Sequence, residues 1–551
     1  MDKPIIWMNV TTSANWSRPP VGIVRVEQAL CNELETLLGN ATFKRCIWID
    51  DNFVEWAPQK KSLSPGHKKI LDSVFPQSKS FDLARALLEN TLDKLKVKEC
   101  NNEFSFSISK NNLGDKHPKS GDVIISIGLD WDQPYTSNFY SLEKNKGIKI
   151  ITCCYDLIPV IFPQYCVGEV AKRFKEYFTQ LSWGSSAVLC ISEQTRSDYI
   201  GLCKQIGIPE RLTSVMPLGD NVPSDVGEIS VQVEEILNAP FILFVSTIER
   251  RKNHEVLYRA FHILARSGYK NILPKLVFVG MQGWGVGDLM KDIELDPETK
   301  GLIVQLNHVN DSELNALYKN SKFCLYPSLY EGWGLPVGEA LSLGKAVISS
   351  AKGSLPEVGG DLVHYVDPWN PQAWADAIIE YVKNPDLVKS IEEKVREKYK
   401  KREWSQTALA VKKIVDEVIS RPATPIVIYP GYEMSTQAGI HSGSSLISTG
   451  EGGFLQFGPH RYLSSGSYKI SIWMETLKTT SGEMTIDFVS NLGERIHYAK
   501  GFSVTNAIDS TKPFVEFEVK SNHQIEQYEV RCIISSNLHI SINKIEIEKT
   551  S

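Results

Sequence analysis

The stretch FCLYPSLYEGWGLPVGEALSLGKAVISSAKGSLPEVGGD, residues 323–361, decides how this chain folds. An apolar run typical of a buried strand leads into a loop rich in glycine, Glu331-Gly332-Trp333-Gly334-Leu335. Pro336 suits the first turn of a helix and Gly344 suits its end, so the pattern predicts a strand, a tight loop and a helix. The free N–H groups and the positive dipole end of such a helix favour an anion, and the glycines let a phosphate approach the backbone.

Two glutamates flank this predicted anion site. Glu339 lies in the first turns of the predicted helix, where a carboxylate can accept paired hydrogen bonds from vicinal hydroxyls such as those of a ribose. Glu331 precedes the glycines, and we expect it to point from the strand end toward the group that the phosphate carries. The alternative is that Glu339 only complements the helix dipole and that Glu331 is solvated.

Short apolar runs alternate with longer helical stretches on both sides of this segment, from Lys3 to about Arg421. This alternation is typical of βα units around mostly parallel sheets, and it occurs twice. The first half includes a candidate strand at 5–10 and a candidate helix at Gly22–Leu38, and the second half restarts with the strand Phe241–Val245. The stretch 221–228, rich in Pro, Gly and acidic residues, is the expected boundary between the halves.

From about residue 422 apolar and polar residues alternate between Gly, Ser and Asn turns, as in YKISIWME (468–475) and FVEFEV (514–519). This period predicts an antiparallel β-sandwich of about 130 residues. The expected fold class is therefore α/β, with two Rossmann-like domains followed by an all-β, jelly-roll-like sandwich. The expected divisions are 1–222, 223–402, a helix and linker at 403–421 that packs back toward the first domain, and 422–551.

Composition excludes several classes of protein. The chain has 551 residues, 42% apolar and 23% charged, which is close to the average of soluble globular proteins. Sixty Lys and Arg against sixty-five Asp and Glu give a net charge of −5, so there is no overall basic field for nucleic acid. Ten cysteines without metal or disulfide spacing predict a reduced, cytoplasmic compartment. No signal sequence and no run of 18 apolar residues occurs, so we expect neither export nor a membrane span.

The segment EGWGLPVGE (331–339), with seven residues between two glutamates, closely resembles the donor-site motif of retaining GT-B glycosyltransferases of family four. Further stretches agree in the expected order: TIERRKN (247–253) after the strand FILFV, VNDSELNALYKNSKFCLYPS (309–328), PLG (217–219) and ISEQTRSDY (191–199). The resemblance covers about residues 3–420. It implies a GT-B arrangement, in which the first Rossmann-like domain lies on the acceptor side and the second binds a nucleotide sugar.

Arg251 and Lys252 look like the Arg and Lys of the family that hold the nucleotide diphosphate. A leaving nucleoside diphosphate gains negative charge as the glycosidic bond breaks, so adjacent cations stabilise the transition state more than the ground state. The alternative is that this basic run is a solvated helix start. Gly22 resembles the glycine loop that faces the diphosphate across the cleft, although it also suits an ordinary turn between strand and helix. Arg25 is a candidate for contact with the donor or the acceptor. The alternative is that it lies on the solvent-exposed face of its helix.

The segment CCYDLIP (153–159) resembles a family stretch that usually has His-Asp before Leu-Ile-Pro. Tyr155 stands where the family has His, and this departure puts a histidine contact to the transferred sugar in doubt. Asp156 is a candidate for orienting the acceptor hydroxyl or the donor sugar. The alternative is that Asp156 caps a loop.

The triplet Asp130-Trp131-Asp132 has the Asp-x-Asp form that binds a metal–diphosphate in the other large glycosyltransferase fold. Hard oxygen ligands of this kind suit Mg²⁺ or Mn²⁺. The triplet lies in the first half, away from the donor motif, and the basic loop already supplies charge neutralisation. We therefore expect no metal at the site and no other cofactor.

The resemblance implies a retaining, metal-independent hexosyltransferase that uses a nucleotide sugar, and GDP-mannose is our first choice of donor. The expected acceptor is a glycan or a lipid-linked oligosaccharide, such as a growing bacterial O-antigen. UDP-sugar or dTDP-rhamnose donors stay open, as does a non-catalytic glycan-binding scaffold. The expected catalytic residues are Glu331, Arg251, Lys252 and Asp156, and the expected donor-binding residues are Gly22, Arg251, Lys252, Glu331, Gly332, Trp333, Gly334, Leu335 and Glu339.

Two surface features carry further expectations about partners. Aromatic faces stack on sugar rings, so the sandwich is a candidate carbohydrate-binding module, against a core role for its aromatics and against a module for dimerisation or partner docking. Its aromatics include Tyr429, Tyr432, Phe454, Phe457, Tyr462 and Trp473. The amphipathic segment EVAKRFKEYF (169–178) is a candidate for peripheral contact with the inner face of the cytoplasmic membrane, or a solvated helix face.

Overall fold

The computed structural model describes residues 3–16, 22–57, 116–206, 211–220, 227–421, 425–463, 465–478 and 481–550. Most of the expected boundary at 221–228 therefore lies outside the described residues. The strands in these ranges are β1 Ile6–Asn9, β2 Phe43–Ile49, β3 Asn52–Glu55, β4 Val123–Ser126, β5 Lys149–Cys154, β6 Ala187–Cys190, β7 Leu212–Val215, β8 Phe241–Val245, β9 Lys275–Val279, β10 Ile303–Leu306, β11 Cys324–Tyr326, β12 Val347–Ser349, β13 His364–Tyr365, β14 Ile426–Ile428, β15 Gly439–Ser442, β16 Ser445–Ser448, β17 Gly453–Gln456, β18 Pro459–Leu463, β19 Gly466–Thr476, β20 Gly482–Ser490, β21 Arg495–Val504, β22 Val515–Ser521, β23 Ile525–Ile534 and β24 Ile540–Lys549.

The α-helices in the same ranges are Thr11–Ala14, Gly22–Leu38, Phe139–Lys144, Ile158–Ile161, Val170–Gly184, Glu193–Ile206, Val231–Leu237, His254–Leu264, Gly287–Leu295, Asp311–Asn320, Leu335–Ser342, Leu355–Gly359, Pro371–Lys383, Pro385–Lys398, Trp404–Ser420 and Pro430–Glu433. Short 3-10 turns include Asp130–Asp132, Pro163–Tyr165 and Arg250–Lys252.

The first half forms a seven-stranded sheet in the order β3-β2-β1-β4-β5-β6-β7. Every pairing is parallel except that of β2 with β3, and Ile6 stands opposite both Phe43 and Val123. All four residues of β4 are buried, as expected for a parallel sheet that is covered on both faces. Because the strand order reverses between β1 and β4, a crevice opens there at the carboxyl ends of the strands.

The second half forms a six-stranded sheet in the order β10-β9-β8-β11-β12-β13, with parallel pairing throughout. Its strand order reverses between β8 and β11, which pair through Leu243 and Cys324. The loops that follow these two strands therefore emerge side by side, and they are the basic loop 247–253 and the glycine loop 331–335. Topology thus brings together two motifs that lie far apart in the chain.

The helix Trp404–Ser420 leaves the second half and packs against the first. The Thr407 hydroxyl donates to the Pro217 carbonyl at 2.8 Å. Lys149 Nζ donates to the carbonyls of Val418 at 2.6 Å and Ile419 at 3.2 Å, which satisfies acceptors that a helix leaves open at its C-terminus. The chain downstream of this helix is thereby attached to the first half.

Residues 426–549 form two antiparallel sheets that enclose their own core. One sheet has the order β15-β16-β24-β19-β22 with β14 beside β24, and the other has the order β17-β23-β20-β21 with β18 beside β23. Burial alternates strictly along Val515–Ser521, as period two requires. The expected fold class, two Rossmann-like units and a sandwich, is confirmed.

The aromatic residues singled out in the sandwich lie outside its core cluster, which consists mainly of aliphatic residues with Tyr468, Phe488, Phe517 and Tyr528. Tyr432 is 73% exposed and Tyr462 is 41% exposed, while the other four are half-buried. The alternative that these aromatics serve mainly as core residues is therefore wrong. The physical reason is that strands place alternate residues on opposite faces, and the aliphatic positions occupy the inner one.

The sandwich contacts the first half directly. Arg461 pairs with Glu433 at 2.9 Å within the sandwich, and its guanidinium lies 5.6 Å from the centre of the Tyr140 ring in the first half. Lys549 Nζ also lies 3.4 Å from Ser120 Oγ. These contacts and the helix Trp404–Ser420 hold the sandwich against the first half.

The amphipathic helix considered for membrane contact is Val170–Gly184, and its apolar face is occupied. Phe174, Tyr177, Phe178 and Leu181 are buried in a core cluster of the first half, so they are not available to a lipid surface. Across the ranges that the structure covers, no helix is long and apolar enough to cross a membrane.

Candidate active site

Glu331 is the centre of a buried ionic cluster at the carboxyl ends of β8 and β11. Arg251 Nη1 lies 2.8 Å from Glu331 Oε2, and Lys252 Nζ lies 2.6 Å from Glu331 Oε1. Tyr326 donates its hydroxyl to Glu331 Oε1 at 3.2 Å, and Arg251 Nη2 also pairs with Glu249 at 2.8 Å. One carboxylate therefore holds both cations of the basic loop in fixed positions.

The electrostatics of this cluster favour the charged forms of Glu331 and Arg251 despite burial, but not the charged form of Lys252. Burial alone would raise the pKa of Glu331, but the charges of Arg251 and Lys252 outweigh it and lower that pKa to about 2. Burial acts to lower the pKa of Arg251, and the carboxylates of Glu331 and Glu249 raise it above its ordinary value. Burial and the neighbouring Arg251 lower the pKa of Lys252. The site thus holds a strong permanent cation beside a cation whose charge is costly to keep without an anion.

The helix Leu335–Ser342 begins beside this cluster, as the sequence predicts. Gly334 precedes it with a φ of 108°, a conformation that L side chains rarely adopt, and Pro336 lies in its first turn. Gly353, at φ 61°, packs against the backbone of Glu331, where an added Cβ would lie 2.3 Å from the carbonyl oxygen. The positive end of this helix therefore follows directly on the loop that carries Glu331, whose carboxylate holds the two cations.

Glu339 lies in this helix and faces the first half of the chain. Its carboxylate accepts from Arg25 Nη1 at 3.2 Å and from the Tyr318 hydroxyl at 3.0 Å. Burial raises its pKa, while Arg25 acts in the opposite direction. The alternative that Glu339 merely complements the helix dipole does not describe this arrangement, because the carboxylate has two side-chain partners. Arg25 belongs to the helix that begins at Gly22, so that helix starts opposite the donor motif.

Gly332 lies against the loop of the first half that carries Tyr155 and Asp156. A Cβ at this position would lie 2.2 Å from the Tyr155 carbonyl oxygen and 2.9 Å from Asp156 Cβ. Asp156 also accepts a hydrogen bond from the Ile158 N–H at 3.0 Å, which is the loop-capping contact considered as its alternative role. Burial raises the pKa of Asp156, and the charge of Arg251 acts to lower it, so the carboxyl lies within electrostatic reach of the cluster.

Tyr155, which stands where the family has His, is not directed at the cleft. Its hydroxyl donates to the Ile127 carbonyl at 2.6 Å, and the ring lies in the core of the chain. The Trp333 ring is likewise buried, with the Arg402 guanidinium 5.0 Å from its centre. The predicted donor role of Trp333 can therefore involve only its backbone.

The Asp-x-Asp triplet forms a 3-10 turn in which the two carboxylates have different surroundings. Asp130 is buried and accepts from the hydroxyls of Ser126 at 2.7 Å and Tyr135 at 2.6 Å, and burial raises its pKa to about 6. Asp132 is exposed and lies 3.3 Å from Arg173. Within the described ranges, no group of three or more His, Cys, Asp or Glu side chains is placed to hold a metal ion.

The structure brings together Glu331, Arg251, Lys252, Gly334 and the start of the following helix, all of which the sequence marked. Sequence reasoning missed the side chains that orient them. Tyr326 and Tyr318 hold the two glutamates, and Glu249 holds Arg251. Tyr326, Tyr318 and Glu249 all lie within the quoted motifs. Their spacing in the sequence does not indicate which side chain each of them contacts.

Part of the chain is similar in sequence to known glycosyltransferases. Residues 225–398 match the family described as glycosyl transferases group 1. Over 245 residues, the chain is 27% identical to O-antigen chain mannosyltransferase B of Escherichia coli, covering 44% of this chain and 63% of the relative. Over 277 residues, it is 27% identical to the serotype-specific mannosyltransferase WbdA of Escherichia coli, covering 48% of this chain and 31% of the relative. The chain thus spans less than two thirds of the length of each.

Solved structures that resemble the chain include a sucrose-phosphate synthase from Thermosynechococcus elongatus, with a TM-score of 0.48 and 16% identity. Another is WaaG, a glycosyltransferase involved in lipopolysaccharide biosynthesis, with a TM-score of 0.45 and 13% identity. Each comparison covers 76% of this chain and 100% of the other.

Proposed function

We propose that this chain, whose residues 225–398 form a group 1 glycosyltransferase domain, transfers mannose from GDP-mannose to a growing bacterial surface glycan such as an O-antigen, with retention of anomeric configuration and without a metal ion. The observation that carries the proposal is the cluster of Arg251 and Lys252 around Glu331 at the start of the helix Leu335–Ser342. The relative named as an O-antigen chain mannosyltransferase supports the choice of sugar and acceptor, and the relative named as a serotype-specific mannosyltransferase supports the choice of sugar.

In the proposed reaction, the oxygen of an acceptor hydroxyl forms a bond to the anomeric carbon while the bond from that carbon to the phosphate oxygen breaks. The acceptor proton passes to the departing diphosphate, on the same face of the sugar, and no enzyme nucleophile takes part. Arg251, Lys252 and the N–H groups near Leu335 stabilise the charge that develops on the leaving group. Closure of the two halves excludes water that would otherwise hydrolyse the donor.

Glu331 has two tasks in this proposal. Before the donor binds, it balances the buried charges of Arg251 and Lys252, which would otherwise be costly. When the diphosphate binds, Arg251 and Lys252 also interact with the phosphate oxygens. The Glu331 carboxylate can then accept hydrogen bonds from hydroxyl groups of the sugar. Glu339 accepts hydrogen bonds from the ribose hydroxyls of the nucleotide sugar. The ribose therefore competes with Arg25 for the Glu339 carboxylate. Asp156 orients the acceptor hydroxyl from the facing loop.

The sandwich serves in this proposal as a glycan-binding module. The observation that favours it is the exposure of Tyr432 and Tyr462, which lie beside the paired residues Glu433 and Arg461 at the contact with the first half. Because the sandwich is attached to the acceptor-side unit, a glycan held there stays near the acceptor site when the cleft closes. Deleting residues 422–551 should shorten the products if the module retains the glycan, whereas a dimerisation module should change the sedimentation mass instead.

Nucleotide binding in the presence of EDTA is the first test. Thermal unfolding with GDP, UDP, dTDP and ADP should show a shift for GDP alone, because a ligand present at about 100 times its dissociation constant adds about 2.7 kcal/mol to the free energy of unfolding. Incubation with GDP-mannose and manno-oligosaccharide acceptors should then yield an α-linked product by NMR.

Other outcomes of this test point elsewhere. A shift with UDP or dTDP instead would replace the donor and keep the reaction class. No shift with any nucleotide would leave the non-catalytic scaffold, and a shift that appears only after Mn²⁺ is added would contradict metal independence.

A further inference from the structure

An ion pair between the two halves of the chain involves the carboxylate that the ribose of the proposed donor would use. Arg25 Nη1 lies 3.2 Å from Glu339 Oε1. Arg25 lies in the first turn of the helix Gly22–Leu38 of the first half, and Glu339 lies in the helix that follows the glycine loop of the second half. Arg25 therefore occupies an oxygen atom that a ribose hydroxyl would need as its acceptor.

The two partners of this pair are held differently. The buried Tyr318, from the same half as Glu339, donates its hydroxyl to Glu339 Oε2 at 3.0 Å and so fixes the carboxylate. Only 7% of the Glu339 side chain is exposed, against 20% of the Arg25 side chain. Arg25 reaches the carboxylate from the other half through a long side chain with several rotatable bonds. Arg25 is therefore the partner that can leave while Glu339 stays in position.

The buried Glu339 carboxylate needs a replacement when Arg25 leaves. Burial raises the pKa of Glu339, and the charge of Arg25 is the largest influence that lowers it. A buried carboxylate without hydrogen-bond donors is costly, and the two vicinal hydroxyls of a ribose supply such donors. The exchange of Arg25 for a ribose therefore keeps the carboxylate satisfied, although the nucleotide must first displace the guanidinium.

Other contacts join the two halves without Arg25 or Glu339. The Thr195 hydroxyl donates to the Gly332 carbonyl at 3.2 Å, and the Tyr330 hydroxyl donates to Asp198 Oδ2 at 2.6 Å. These contacts lie on the loop that begins the donor motif and on the helix Glu193–Ile206 of the first half. Arg25 can therefore release Glu339 by a movement of its side chain, and the two halves need not separate.

We propose that Arg25 is a positioning residue that competes with the ribose of a nucleoside diphosphate for Glu339, and that it thereby lowers the affinity of the chain for its nucleotide. The inference rests on the proposed function in one respect, the binding of ribose by Glu339. It predicts the opposite of a direct contact between Arg25 and the donor. Loss of a residue that contacts the donor weakens binding, whereas loss of a competitor strengthens it, because a larger fraction of the protein is then competent to bind.

The test measures binding of GDP to the full-length chain by calorimetry at pH 8, which favours the ionised form of Glu339. If thermal unfolding selects UDP, dTDP or ADP instead, that nucleotide is the probe. Arg25→Gln should tighten binding about fivefold or more. Arg25→Lys keeps the charge and should stay within about twofold of the unmodified chain.

A second background and a control isolate the competition. In Glu339→Gln, the additional replacement Arg25→Gln should leave the affinity unchanged, because Arg25 acts only through that carboxylate. This double variant leaves neither partner as an unpaired charge, so the comparison decides even where Arg25→Gln alone does not fold. Arg45→Gln is the matched control, since Arg45 pairs at 2.6 Å with Glu35 of the same helix and within the first half, and its affinity should not change.

Several results would overturn the competition. Weaker binding by Arg25→Gln in both backgrounds would do so and would make Arg25 a residue that contacts the donor. An unchanged affinity of Arg25→Gln, or an equal gain in Arg45→Gln, would also do so, and mannose transfer by the unmodified chain would then still support the proposed function. A gain in Arg25→Gln that disappears in the Glu339→Gln background, together with an absence of transfer from any nucleotide sugar, would support the competition and contradict the proposed function. No binding of any of the four nucleotides by any variant would contradict both.

Discussion

Replacing Glu331 by Gln should destabilise the protein strongly, because it removes the charge that balances two buried cations. Gln keeps the size of the side chain, so the variant tests charge with little change in packing. Arg251 retains Glu249, whereas Lys252 loses the carboxylate that lies 2.6 Å from its amino group. Breaking a buried pair by removing one partner typically costs about 3 to 5 kcal/mol.

The lowered pKa of Glu331 gives an independent value for the stability that its charge contributes. Its value falls from 4.5 in the absence of the fold to about 2 in the folded protein, which corresponds to about 3 kcal/mol of stability. Because the folded pKa is the lower one, this contribution is fully present above pH 4.5 and is lost as the pH falls toward 2. The difference between the unmodified chain and Glu331→Gln should therefore be constant between pH 7 and pH 5 and should shrink below pH 4.5.

Urea denaturation followed by circular dichroism at several pH values measures the effect. At pH 7 the midpoint of the transition that includes the second sheet should fall by about 1 M or more. The control is Glu294→Gln, which removes a carboxylate 3.0 Å from Lys291 in a pair whose side chains are mostly exposed. Exposed pairs contribute about 0 to 1 kcal/mol, so this control should leave the midpoint nearly unchanged.

Two results would refute the reasoning. A loss below about 0.5 kcal/mol for Glu331→Gln would show that the cluster is not held by that carboxylate. A loss that does not diminish between pH 4.5 and pH 3 would show that its ionisation is not the source of the stability.

Three further predictions follow from the same site. Replacing Glu339 by Gln should weaken GDP binding about tenfold in calorimetry with little change in turnover at saturating donor, and an unchanged affinity would contradict its ribose role. Replacing Lys252 by Gln should lower kcat by about 100-fold or more in a transfer assay while the KM for the acceptor stays similar; undiminished turnover would contradict leaving-group stabilisation. Gly353→Ala should lower the free energy of unfolding by about 2 kcal/mol or more, because its φ is 61° and the added Cβ meets the Glu331 carbonyl oxygen, whereas the open position Gly201 should tolerate Ala.

The secondary elements around the donor motif could be predicted closely from the sequence. Pro336 and the left-handed Gly334 indicate where the helix starts, and the structure begins it at Leu335. The strand Phe241–Val245 and the helix Gly22–Leu38 also have the predicted bounds. These features are local, since backbone restrictions of Pro and Gly and the period of apolar residues act within a few positions.

The partners of the site residues could not be predicted in this way. The contact of Arg25 with Glu339 joins residues 314 positions apart, and it depends on how the two halves meet. The position of Tyr155 illustrates the same limit. The sequence leaves it in doubt whether Tyr155 takes over the sugar contact of the histidine that the family has there. In the structure Tyr155 directly follows β5, and its hydroxyl donates to the Ile127 carbonyl in the core.

The sequence by itself determined the class of each unit, the strand, loop and helix around Glu331, and the identity of the charged residues that cluster there. These depend on short-range periodicity and on the chemistry of individual side chains. Only the tertiary structure decided that Glu331 holds both cations and that Arg25 meets Glu339. Those features arise from contacts between segments that are distant in the sequence. The geometry of these contacts follows from strand order and from the packing of the two halves, so local sequence patterns do not predict it.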